Sequence, residues 1–125
     1  MLSYVKLSIA VLFCCLITKV SCQKCTPENL NVLEERSNSS IKGQPKWLVT
    51  VTNKCSCTRT GIVLDCKDFR TTKTVDTSLL LPTRDGRCLL KRGQPVKPDE
   101  AVKFSYAWRS PIDFYPRGFK VNQGC

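Results

Sequence analysis

An all-β fold, a small disulfide-stapled antiparallel β-sandwich with a β-barrel as the alternative closure, is what three features of this chain predict. Val102, Phe104, Tyr106 and Trp108 alternate with Ala101, Lys103, Ser105 and Ala107, the period of a strand with one buried face. Trp47, Val49 and Val51 alternate with Thr50 and Thr52, and Ile62, Leu64 and Cys66 alternate with Val63, Asp65 and Lys67. Gly and Pro turn signals separate such runs, and no stretch shows a helical repeat of apolar residues.

The chain opens with Lys6, an apolar run from Leu7 to Ile17, and a small-residue site at Val20, Ser21 and Cys22. That order reads as a secretory signal peptide over residues 1–22. A membrane span needs about 20 apolar residues, and Lys19 interrupts the run before that, so no stable membrane insertion is expected. Cleavage after Ser21 would place Lys19 at the minus-three position, so the domain is expected to occupy residues 23–125. Cys14, Cys15 and Cys22 leave with the signal, reducing nine cysteines to six: Cys25, Cys55, Cys57, Cys66, Cys88 and Cys125. An even set in a short exported chain reads as three disulfides, with the pairing open. Zinc is the competing reading of Cys55-Ser56-Cys57, but the chain has no His, and export favours oxidation over thiolate ligation. No metal or cofactor is expected.

The elements follow in order. Leu30 to Leu33 offers a first short strand, and Glu34 to Gln44 reads as a polar loop. Asn38-Ser39-Ser40 within it is an N-glycosylation sequon, which marks Asn38 as a glycosylation site. The stretch from Trp47 to Phe69 reads as a hairpin that projects Cys55 and Cys57 into the core. Leu79 to Leu81 is an apolar patch closed by Pro82, Asp85-Gly86 marks a turn, and Cys88 to Leu90 is a short strand. Arg92-Gly93-Gln94-Pro95 and Lys97-Pro98-Asp99 are consecutive turn signals, so the dibasic Lys91-Arg92 reads as part of a turn. The strand of Val102 to Trp108 ends at Pro111. Phe114, Tyr115 and Pro116 then form an aromatic loop, and Phe119 with Val121 begins a last strand towards Cys125. About seven short strands result.

The whole chain carries 20 Lys and Arg against 10 Asp and Glu. Loss of Lys6 and Lys19 with the signal lowers the net charge from +10 to +8, dispersed rather than gathered in a run. Dispersed positive charge suits an acidic cell-wall polymer, a membrane surface or a receptor patch better than a nucleic-acid groove, with solubility alone as the competing role. Without His, the usual general base and the common nucleophilic triads are missing. The adjacent acids Glu34-Glu35 and Asp99-Glu100 would point to opposite faces of a strand, unlike the paired carboxylates of glycoside hydrolysis. A non-catalytic protein is therefore expected. Arg109, Phe114, Tyr115 and Arg117, held around Pro111 and Pro116, mix aromatic and guanidinium groups as protein interfaces do, and are the candidate partner-contact residues.

Read together, Cys25-Thr26, the strand WLVTVTNKC, Cys57, GIVLDCKDF, RCLLKRGQPV, VKFSYAW and the terminal Cys125 resemble the plant tapetum determinant family of small secreted proteins. The resemblance covers nearly all of residues 23–125. It implies a cysteine-rich signalling protein in the apoplast. Its best-studied branch acts as a ligand for the ectodomain of a leucine-rich-repeat receptor kinase in anther cell fate. Two departures point to a side branch: only Ser56 separates Cys55 from Cys57, and Trp108-Arg109-Ser110-Pro111 extends the late strand. A cell-wall glycan-binding module is the alternative function.

Overall fold

In the computed structural model, which describes residues 25–121 and 125, the chain forms two antiparallel sheets packed face to face. The expected signal segment lies outside the described residues. The first sheet contains β1 (Leu30–Ile41), β2 (Gln44–Asn53) and β6 (Ala101–Ala107), in the order β1-β2-β6. The second contains β3 (Arg59–Asp65), β4 (Leu80–Pro82), β5 (Arg87–Leu90) and β7 (Tyr115–Val121), in the order β4-β5-β3-β7. Both sheets are open, so this is a sandwich and not a closed barrel.

The alternations place the core. Val49, Val51, Val102, Phe104 and Tyr106 point inward from the first sheet and meet Ile62, Leu64, Leu80, Cys88 and Leu90 from the second. Each such side chain contributes roughly 1.5–3 kcal/mol by leaving water. The cysteines pair as Cys25–Cys55, Cys57–Cys125 and Cys66–Cys88, with Cα separations of 5.1, 6.1 and 5.9 Å. Closing loops of this size is worth on the order of 3 kcal/mol each, by restricting the unfolded chain.

Three local expectations need correction. Glu34 to Gln44 is not a loop, because β1 continues to Ile41 and turns at Lys42-Gly43, both in the left-handed region with φ of 51° and 78°. Such a two-residue turn matches the twist of the strands it joins. Backbone pairing with β2 holds β1 in place, with a register shift between Arg36 and Ser40, and that pairing needs no apolar side chains. Secondly, the runs on either side of Cys55 and Cys57 do not form a hairpin. They lie in different sheets, and residues 54–58 carry the chain across. Thirdly, Tyr115 begins β7 instead of lying in a loop, paired with Asp65 on β3.

The crossing is set by two buried polar residues, Asn53 and Arg59. The Asn53 amide donates to the carbonyls of Cys57 and Val96, each at 2.9 Å. Its Oδ1 accepts from the Cys55 backbone N–H at 3.2 Å and from Arg59 Nε at 2.8 Å. The Arg59 guanidinium also donates to the Thr26 carbonyl at 2.7 Å and to Asn29 Oδ1, and lies 4.5 Å from the centre of the Phe119 ring. Its partners are neutral. Burial lowers its pKa from the usual guanidinium value, yet an Arg remains protonated at any physiological pH.

Arg59→Ala is expected to destabilise the domain by about 3 kcal/mol or more, because it leaves several buried acceptors unpaired. Arg59→Met, which keeps much of the packing of the stem, should lose less. Denaturant unfolding of the disulfide-intact proteins checks both; an Ala variant as stable as the parent would show that the network holds nothing.

Candidate functional site

The segment between β6 and β7 is strung so that alternate residues turn inward. Tyr106 on β6 donates its hydroxyl proton to the Glu34 carboxylate on β1, and its oxygen accepts from the Ile112 backbone N–H at 2.7 Å. Burial first, and then the bond to Glu34, push the phenol well above its usual pKa, so it stays a donor. With Ile112 anchored, Phe114 enters the core. Its ring centre lies 5.4 Å from Phe104, 5.7 Å from Tyr106 and 5.8 Å from Phe69, in edge-to-face and tilted contacts.

The four candidate contact residues therefore separate. Phe114 is only 7% exposed and seals the sandwich, so it does not offer a surface to a partner. Tyr115 is 58% exposed, the most exposed large apolar side chain among the described residues. Arg117, two residues on along the same face, stacks with its guanidinium 5.5 Å from the Tyr115 ring centre. That guanidinium also donates to Asp65 Oδ2 at 2.9 Å through Nη2, an ion pair across the β3–β7 ladder. Arg109 lies apart, over the Trp108 ring at 5.7 Å.

Asp65 joins the site, and in the sequence only its outward place in the Ile62–Cys66 alternation hints at it. It pairs with Arg87 on β5 on one side and with Tyr115 on the other. Beside Tyr115 a cleft of about 370 Å³ separates the turn after β3, with Lys67 and Asp68, from Trp108, Pro111 and Asp113. A flat phenol ring, a guanidinium and carboxyl groups give this surface stacking and hydrogen-bonding capacity. The six disulfide cysteines, Cys25, Cys55, Cys57, Cys66, Cys88 and Cys125, belong to the frame and not to this surface, and Asn38 is exposed on β1.

Residues 18–122 match the family model described as Tapetum determinant 1, C-terminal. The chain belongs to this family. Tapetum determinants are a plant developmental signalling family. TPD1 protein homolog 1B of Oryza sativa subsp. japonica is 30% identical over 84 residues, covering 66% of this chain and 50% of that protein. TPD1 protein homolog 1 of Arabidopsis thaliana is 25% identical over 87 residues, covering 68% of this chain and 49% of that protein. The chain thus spans about half the length of these curated relatives. No solved structure matches it.

Replacing Phe114 by Ala should cost about 3–5 kcal/mol of stability, whereas Tyr115→Ala should change it by about 0.5 kcal/mol or less. Thermal melts of the two variants separate a core residue from a surface one.

Glu34 gives a pH test. Burial is the largest influence on its carboxyl and Asp113 adds to it, while hydrogen bonds from Tyr106 and Ile112 oppose; the balance raises the pKa. The folded chain therefore holds this proton more tightly than the unfolded chain. Its contribution to stability is full below the unfolded carboxylate pKa and is lost as pH rises through the raised folded value. Glu34→Gln keeps an acceptor for Tyr106 and removes the charge. Its melting temperature should exceed that of the parent near neutral pH and converge with it below about pH 4; a difference independent of pH would contradict the assignment.

Proposed function

We propose that this tapetum determinant family member is a secreted, non-catalytic ligand that binds the leucine-rich-repeat ectodomain of a plant receptor kinase in the apoplast, in cell-fate or other developmental signalling. Membership of the family is the observation that carries the class of function. The surface around Tyr115 supports a place of contact: a rigid aromatic on a strand, flanked by Arg117 and Asp65, loses little conformational freedom on docking. Arg109 at the margin and the positive balance of the chain favour steering towards an acidic patch. Secretion rests on the signal segment read in residues 1–22, and the absence of His from the chain supports a role in binding rather than bond-making.

The exposed Tyr115 ring also favours a second reading, a module that stacks on a sugar ring of an acidic wall polymer. The two differ in what they need. A ligand binds one ectodomain saturably, while a wall module is retained on polysaccharide with no receptor present.

Purified protein titrated against a panel of receptor ectodomains should give saturable binding to one of them. Joint replacement of Tyr115 and Arg117 by Ala should weaken that binding by about 2 kcal/mol or more, the range of aromatic and arginine hot spots, with the melting temperature kept. Arg109→Ala should mainly slow association and reduce its dependence on salt. Binding that survives the double change removes this face from the site. Retention on acidic polysaccharide with no ectodomain bound would favour the wall reading.

A further inference from the structure

We infer that Asn38 carries an N-linked glycan whose role is to cover the open edge of β1 and keep it from pairing with a second copy of this chain. The inference extends the proposed secretion, on which it rests, and concerns a surface other than the Tyr115 face.

Pairing between β1 and β2 stops at Arg36 opposite Trp47 and resumes at Ser40 opposite Pro45. Ser37, Asn38 and Ser39 therefore bulge out of the ladder, and the bulge closes on itself where the Ser39 N–H donates to Ser37 Oγ at 3.1 Å. Asn38, Ser39 and Ser40 are all exposed. The third strand accompanies β2 as far as Lys46, opposite Ala107; beyond it the Trp108 N–H donates to the Pro45 carbonyl at 3.2 Å and the Thr72 hydroxyl to the Ile41 carbonyl at 3.4 Å, beside the bulge and not within it. A sugar on Asn38 would displace no core contact there.

Modification would join Asn38 Nδ2 to the anomeric carbon of a lipid-pyrophosphate-linked oligosaccharide. The amide nitrogen loses a proton, and the lipid pyrophosphate leaves with the electron pair of the broken C–O bond.

β1 is one of the two edge strands of its sheet, opposite β6, and is the longer, spanning twelve residues from Leu30 to Ile41 against seven in β6. Leu33 on it is 50% exposed. A long edge with unpaired backbone groups is a template for another strand, and proteins block such edges with charges, bulges or covers. Glu35, Arg36 and the bulge supply part of that protection. A glycan rooted in the bulge sweeps the adjoining edge and completes it. A second copy is the partner excluded, because identical chains meet at the highest local concentration and present the same open edge.

The test is full-length protein expressed in plant cells. Material recovered from the medium should lose the mass of one glycan on treatment with a peptide:N-glycosidase that accepts plant glycans, and S40A and N38Q, both exposed substitutions, should lack that mass. Light scattering across a concentration series should then show the glycosylated parent as a monomer and the folded S40A protein shifting towards twice the mass. Adding L33K to S40A should return it to monomer. Secreted protein with no glycosidase-sensitive mass would overturn the glycan and leave the secretion reading standing; protein held in the cytosol would overturn both. A monomeric S40A protein with the parent's circular dichroism would overturn the shielding role.

Discussion

The buried guanidinium of Arg59 is the constraint on which the rest of the architecture depends. It stands at the first position of β3, yet it reaches Asn53 at the end of β2, Thr26 and Asn29 in the N-terminal turn, and the ring of Phe119 on β7. One side chain thus touches both sheets. A charge removed from water is costly unless every donor finds an acceptor, and here carbonyls, amide oxygens and an aromatic face serve in place of a carboxylate. That requirement fixes the path of residues 54–58. Disulfides from Cys55 and Cys57 then lock the same crossing to Cys25 and Cys125.

A second polar node works towards the opposite end of the sandwich. Tyr106 lies opposite Trp47, several residues up the ladder from Asn53, and joins Glu34 on the edge strand to the backbone of Ile112. The segment after β6 is held from inside, so Phe114 must pack inward and Tyr115 must face out. The indole N–H of Trp47 donates to the Trp108 carbonyl at 3.0 Å and closes the same end. Between the two nodes the interior is apolar. The polar groups thus specify how the sheets are joined, while the apolar side chains supply the driving force for bringing them together.

Much of this was legible in the residues. The alternation of Val102 to Trp108, of Val49 and Val51, and of Ile62 and Leu64 places β6, β2 and β3 correctly, because period-two burial is a direct imprint of the pleat. The outer half of β1 was not legible. An edge strand such as Glu34–Ile41 is held by backbone bonds on one side only, and its side chains are free to be as polar as those of a loop. The split between β2 and β3 was hidden for a different reason. A polar connection between two alternating runs looks the same whether they pair or part, and only Arg59, an unremarkable surface residue by type, decides it. At the candidate site, the sequence groups Phe114 with Tyr115 and Arg117 as contact candidates, with folding back to seal the sandwich end as the alternative, and the structure takes that alternative for Phe114 alone. Its direction depends on a hydrogen bond between Tyr106 and Ile112 that no local pattern encodes.

The order of the strands also bears on how the chain reaches this state. β1 with β2 and β4 with β5 are neighbours in sequence and can pair early, as hairpins do in microseconds. The strand with the largest apolar face, β6, must instead find β2 across a long intervening segment; Trp47 and Trp108, which meet at that seam, are 61 residues apart. Distant pairings of this kind slow a chain's search by orders of magnitude. During that wait the first hairpin displays Val49 and Val51 beside an unsatisfied strand edge. The nascent domain is therefore most prone to wrong partners in the interval between making β2 and docking β6.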